Sequence, residues 1–268
     1  MNYSYCNTGH ISSKDDIEIL ERMLLHNYPV ISKFNHIVVH QNSSVECEKY
    51  LADYNGIWKK IFGKDVILIP SLKNRGHTFG SMDSDNVVID CAKNLSTEFI
   101  FKSASDILLT ENVFSIIPSD EFDFYFLQGI GYTGLTPFNY DIDSYVDSYW
   151  HPQHLYPQSN FYIIRNTVDY IYNKDEIDQA VDMCESIPNY NGRTWEYISN
   201  FSCEYLLKRC AIRNKFKCKH LLTDAKFRVL LNLIISNKMC DCSHKNVLFE
   251  DIGVCHFHYK NGDTCLII

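Results

Sequence analysis

What the chain lacks narrows its function first. No apolar run approaches the roughly 18–20 residues needed to span a bilayer, so no transmembrane segment is expected. The opening Met1-Asn-Tyr-Ser-Tyr-Cys6 has no basic patch followed by an apolar stretch, which argues against a secretory signal and for a cytoplasmic protein. Positive charge is in the minority, with 25 Lys and Arg against 33 Asp and Glu and a formal net charge of −8. That balance argues against a protein that coats nucleic acid, while a local basic groove stays open. There is no internal repeat and no low-complexity linker, so the 268 residues read as a single domain. Alanine is scarce beside Asn, Ile, Lys, Tyr and Asp, a bias that suggests an AT-rich, even viral, genome and carries no chemistry.

What is present suffices for a core. Apolar residues make up 46% of the chain, too many for global disorder. The 11 cysteines are odd in number and irregularly spaced, which reads as free, mostly buried thiols rather than a disulfide framework.

Periodicity predicts alternating strands and helices through the first ~110 residues. Tyr3–Cys6 reads as a strand with a loop at Asn7-Thr8-Gly9-His10. A helix follows Ser12 and Ser13, carries Ile17, Leu20 and Leu24 on one face, and closes at Pro29. His36–His40 is a buried-type strand ending at Gln41-Asn42, and Ser43-Ser44-Val45-Glu46 reads as a capping box for the next helix. Asp65–Pro70 is a third strand, the loop Lys73–His77 leads into a third helix, and Phe99–Phe101 opens a fourth strand whose tip is Lys102-Ser103-Ala104-Ser105-Asp106. Such alternation implies a mostly parallel sheet with helices on both faces, and ligands then bind beyond the carboxyl ends of the strands. The polar tips at 7–10, 41–44, 73–77 and 102–106 should converge there. Further strands are expected at Phe122–Leu127 and Phe161–Arg165, and helices at Asp175–Cys184 and Trp195–Arg213, in a less regular second half.

Three motifs in order resemble the GT-A glycosyltransferases, in particular the large family-2-like group. "HIVVHQNSSVECEKYLADY" is similar to their second strand and helix, with Gln41 where an aspartate is common, followed by Asn42. "NRGHTFG" is similar to their Asn-x-Gly loop, with Asn74, Arg75 and Gly76, and "NLSTEFIFKSASDILL" to the strand bearing their Asp-x-Asp motif. The resemblance covers residues 1–115 best. It implies an α/β, GT-A-like (Rossmann-like) domain with a nucleotide-sugar-binding half (1–115) and an acceptor-binding half (116–268). It also implies transfer of a sugar from a nucleotide-diphosphate donor to an acceptor hydroxyl, with a divalent metal (Mn2+ or Mg2+) offsetting charge on the departing diphosphate. Family members commonly carry Asp at three of four tip positions, whereas here only Asp106 is a carboxylate. Asp106 is therefore the implied metal ligand, with Asn7, Thr8, Ser103 and Ser105 among the donor-binding groups. A metal-free mechanism using Lys102 or Arg75, and a plain capping role for Asp106, remain open.

The family commonly supplies a late histidine, which nominates His256 or His258; both also read as ordinary histidines. It also supplies a carboxylate base at a helix start in the second half, nominating Glu204 in "CEYLLKRC" with Glu196 in "RTWEY" as its rival. Cys240, Cys242, His244 and Cys255 form a weaker zinc-like pattern, too tightly spaced for the usual structural site. Aromatic and acidic residues between Gly129 and Ser159 suit sugar recognition. Lys208–Arg228 holds eight basic residues against one Asp. It could hold a phosphate-bearing acceptor, an anionic membrane surface, or DNA carrying a hydroxymethylated pyrimidine, or simply be a solvated helix face. Glycan, lipid-linked and protein acceptors are equally open. The rivals are a nucleotidyltransferase, for which Asn7-Thr8-Gly9-His10 is a poor phosphate loop, and a non-catalytic relative that binds a sugar nucleotide.

Overall fold

Runs of Val, Ile and aromatic residues become strands wherever the two faces of the chain can both be covered. The computed structural model describes residues 2–63, 66–115, 121–128, 157–190, 194, 197–198, 201–221 and 254–256. Its elements are β1 (Tyr3–Ile11), α1 (Asp15–Ile31), β2 (His36–Ser43), α2 (Leu51–Phe62), β3 (Val66–Ile69), α3 (Gly76–Lys93), β4 (Phe99–Ala104) and β5 (Ile107–Leu109). These are followed by β6 (Phe124–Gln128), β7 (Pro157–Arg165), α4 (Lys174–Glu185), α5 (Cys203–Arg213), β8 (Cys218–His220) and β9 (Val254–His256).

Seven strands form one sheet in the order β3-β2-β1-β4-β7-β6-β8, and β5 pairs with β9 in a second, small sheet. β3, β2, β1 and β4 are mutually parallel. β7 runs against both β4 and β6, and β8 runs with β6. All strands of the large sheet except β7 therefore point the same way. Parallel neighbours need crossover helices, and α1 to α3 supply them. This is the α/β, Rossmann-like architecture that the alternation implies.

Alternation along the strands assigns the faces. Tyr5 packs on Phe34, which follows α1, whereas Cys6 donates to the Val88 carbonyl of α3. Odd positions of β1 thus face α1 and α2, and even positions face α3. Trp58, Tyr5, Tyr54, Phe99, Phe101, Phe124 and Phe161 are fully buried between these layers.

Four local expectations are corrected. β1 does not end at Cys6 with a loop over Asn7–His10 but continues to Ile11, because Asn7 to Ile11 pair with Val39 to Ser43 of β2. α1 does not close at Pro29 but runs through it to Ile31. The lost backbone bond is offset because Val30 and Ile31 are buried. The capping box does not form. Ser43 stays in β2 paired with Ile11, its N–H is taken by Asn42 Oδ1 at 2.8 Å and its carbonyl by Asn74 Nδ2 at 2.6 Å. The chain instead enters α2 through a 3-10 turn, Val45–Tyr50. The last long helix spans Cys203–Arg213 rather than starting at Trp195, because the Ser202 hydroxyl caps it by accepting from Tyr205 N at 3.2 Å.

Candidate active site at the strand tips

From β1 the chain steps outward to β2 and β3, then returns to the other side of β1 as β4. The direction of winding reverses between β1 and β4, and the crevice beyond their carboxyl ends is where such sheets bind ligands. Asn7, Thr8, Ser103, Ser105 and Asp106 are at or next to this point, with Gln41 and Asn42 one strand away.

On the face toward α2 the tip chemistry is neutral. Asn7 Nδ2 donates to the Tyr5 hydroxyl and to the Ala104 carbonyl, both at 3.2 Å. Ser105 Oγ donates to Asn7 Oδ1 at 3.0 Å and accepts from the Tyr54 hydroxyl at 2.9 Å. Ser103 is fully buried, its hydroxyl on the Ala104 carbonyl at 3.0 Å. Burial pushes the Tyr5 phenol up to about 12, against the opposing bonds from Ser103 and Asn7. Gly9 makes this network possible. A Cβ there would lie 2.1 Å from Ser105 Oγ, 2.7 Å from Gln41 Oε1 and 2.8 Å from the Tyr54 hydroxyl. Gln41 is 2% exposed, and among the described residues neither its amide oxygen nor its amide nitrogen has a hydrogen-bond partner. A buried orphan amide is costly unless a ligand or water completes it.

On the face toward α3 the chemistry is ionic. Lys102 does not reach the crevice as a free cation. It is 3% exposed, with Nζ 3.1 Å from Asp85 Oδ1 of α3 and a further bond to the Ser159 carbonyl. Asp85 also accepts from Thr8 Oγ1 at 3.1 Å, from the Tyr162 hydroxyl at 3.3 Å and from the Tyr172 hydroxyl at 3.4 Å. Burial raises the Asp85 carboxyl above its ordinary value, while Lys102 and the hydroxyls of Thr8 and Tyr162 oppose the rise. His40 lies beside Thr8 in the ladder, fully buried, with no hydrogen-bond partner at either ring nitrogen among the described residues. Burial lowers its pKa, with Asp83 opposing.

The Asn-x-Gly loop shapes the start of α3. Asn74 Oδ1 accepts from Gly76 N at 2.9 Å, and Gly76 has φ +87°, a left-handed conformation suited to glycine. Arg75 holds elements together: its Nε bonds Asp83 Oδ2 and its Nη1 bonds Asp178 Oδ1 of α4, each at 2.6 Å. The hydrogen bonds it donates to Asp83, then to Asp178, raise its pKa further, against the effect of burial.

Asp106 is half-buried in the turn between β4 and β5. The segment after it is a strand, so Asp106 is not a helix cap. β9 pairs with β5 so that the His256 backbone is opposite Ile107, one residue beyond Asp106. His258 and Glu196 lie outside the described residues, as do Cys240, Cys242, His244 and residues 129–156. Among the described residues no three His, Cys, Asp or Glu side chains cluster as a metal site. The residues present fit a divalent cation only in part: one hard oxygen donor, Asp106, and one late histidine whose backbone lies close by.

Glu204, in the first turn of α5, accepts from Ser159 Oγ at 2.9 Å. Ser159 is near the start of β7. Because β7 runs antiparallel to β4, with Ser103 opposite Phe161, this start lies at the tip end of β4. The candidate base and the candidate metal ligand therefore flank the same strand end. In the basic segment, Arg209 pairs with Glu176 at 2.6 Å and the Arg213 guanidinium lies 3.5 Å from the Tyr170 ring centre. Lys219 Nζ lies 5.1 Å from that of Phe122.

Sequence reasoning missed Asp85, Gly9, Tyr54 and Ser159. The signal for Asp85 was available: a buried-strand lysine, Lys102, needs an anion, and the third helix was the element to search. Tyr54 lies in α2, and nothing in the sequence marks its hydroxyl as a partner of the distant Ser105.

Solved structures similar to this chain include those of LgtC and GlyE. An active-site mutant of LgtC matches over 80% of this chain and 72% of its own, at 6% identity and a TM-score of 0.44. The glycosyltransferase GlyE of Streptococcus pneumoniae TIGR4 matches over 96% of this chain and 55% of its own, at 11% identity and a TM-score of 0.45. The chain thus spans just over half of GlyE. No protein-family model matches the sequence, and no curated protein does. Among the described residues no helix is long and apolar enough to cross a membrane.

Proposed function

We propose that the chain is a glycosyltransferase that moves a sugar from a nucleotide-diphosphate donor to an acceptor hydroxyl. The observation that carries this reading is the neutral, hydrogen-bonding network at the β1–β4 switch point together with two carboxylates near the same end of β4, Asp106 in the turn after it and Glu204 bonded to Ser159 of β7. The orphan amide of Gln41, with Asn7 and Asn42, suits the base and ribose of a nucleotide. Asp106, with His256 or His258, would hold a divalent cation, which when bound offsets the charge that builds on the leaving diphosphate. Glu204 takes the acceptor proton if the anomeric centre is inverted, and Glu196 is its rival for that role. The engagement of Arg209 and Arg213 within the fold weakens the DNA-acceptor reading and leaves a hydroxyl-bearing glycan, lipid or protein acceptor.

The test is a panel of UDP- and GDP-sugars with and without Mn2+, read by thermal shift and by donor hydrolysis. At least one donor should stabilise the protein and be turned over, and Asp106→Ala should lose turnover by roughly 100-fold or more with the fold intact. No binding and no hydrolysis with any donor would overturn the proposal. Binding without turnover would favour a non-catalytic sugar-nucleotide binder.

A further inference from the structure

A polar seam crosses the interior from the donor side of the crevice to the acceptor side. It starts at Thr8 of β1, opposite the last residue of β4; the Thr8 hydroxyl bonds Asp85. It passes through the Asp85–Lys102 ion pair to the backbone carbonyl of Ser159. It leaves through the Ser159 hydroxyl, which donates to Glu204 Oε1 at 2.9 Å. Every link joins a different element: β1, α3, β4, β7 and α5.

We infer that Ser159, held by Lys102, is the positioning residue for the Glu204 carboxylate. Three features carry this. First, Lys102 and Asp85 have side chains only 4% and 3% exposed, so neither can rearrange toward water without a large desolvation imbalance. Lys102 is therefore a fixed point. Second, it grips the carbonyl of the residue whose hydroxyl meets Glu204, so the backbone of Ser159 is set from one side while its side chain acts on the other. Third, Glu204 is at the amino-terminal turn of α5, capped by Ser202, so the helix fixes its Cα and leaves the carboxylate's direction to its hydrogen bond. A general base works only within hydrogen-bond reach of the proton it takes. A hydroxyl that donates to one carboxylate oxygen orients the other for that task.

The inference rests on the proposed glycosyl transfer, and its test separates the two. Ser159→Ala keeps the carbonyl that Lys102 grips and removes only the hydroxyl. Expected is a fall in kcat for transfer of roughly 10- to 100-fold, with donor KM, donor thermal shift and the urea midpoint unchanged. Ser159→Thr should restore kcat to within a few-fold, because it returns the hydroxyl. Glu204→Gln should lower kcat at least as much, and adding Ser159→Ala to it should cost little more. If Ser159→Ala transfers like the wild type, or if donor binding and stability fall together with kcat, the positioning role is wrong while the glycosyltransferase reading stands. If the unaltered protein turns over no donor, the underlying reading fails, and this one with it.

Discussion

The two faces of one strand pair carry opposite chemistry. Asn7 and Ser103 are partners across β1 and β4, and so are Thr8 and Ala104 one step on, with Lys102 opposite Cys6. The odd positions build a neutral network with Tyr5, Tyr54 and Ser105. The even positions meet Asp85 and two tyrosines around a buried ion pair. A ligand site needs groups that can exchange partners at low cost, and neutral hydroxyls and amides do so. A scaffold point needs the reverse, and a desolvated ion pair held by four further hydrogen bonds supplies it. The division of labour follows from a period of two along each strand.

The comparison is sharpened first on the ionic face. Lys102→Met leaves Asp85 buried without its cation and should cost about 3–5 kcal/mol of unfolding free energy in urea titration. Adding Asp85→Leu should recover most of it. A loss below about 1 kcal/mol, the scale of an exposed pair, would mean that this face is not a fixed point. On the neutral face, Gly9→Ala forces a methyl against Ser105, Gln41 and Tyr54 and should cost about 1–3 kcal/mol, along with nucleotide binding. Gly56 in α2 is the control. A Cβ there meets nothing within 4 Å, so Gly56→Ala should stabilise by about 0.5–1 kcal/mol. Equal effects at the two glycines would remove the argument for crowding around Gly9.

The smallest effect concerns His40. Its folded pKa is lowered by burial, so the fold favours the neutral ring. That preference is harmless above the unfolded value of about 6.5 and costs stability as pH falls below it, because the unfolded chain then binds the proton more readily. The urea midpoint of His40→Phe should therefore fall less between pH 7 and pH 5 than that of the wild type. Parallel curves would place the acid sensitivity elsewhere.

Much of the frame was legible because β-strands and crossover helices leave periodic marks. The order of elements through β4 and the place of Asp106 just after that strand follow from apolar runs that stop at polar residues. Less legible were features that depend on a partner distant in sequence. Ser43 looked like a cap until β1 claimed it as a strand residue. Lys102 looked like a phosphate ligand because its anion, Asp85, lies in another element. Arg75 carried the same ambiguity, and Asp83 and Asp178 account for its charge. Glu204 was nominated from a loose local pattern, and only the antiparallel entry of β7 brings it to the tip of β4.

The pairing of β5 with β9 has a consequence for timing. Ile107 finds its partner at His256, so the wall beside Asp106 is built from residues synthesised far apart. A nascent chain can assemble β1 to β4 and their helices well before that partner leaves the ribosome. Closure of the small sheet is then a late event, and the strand tip with its single carboxylate acquires its neighbouring wall only once residues 254–256 have emerged.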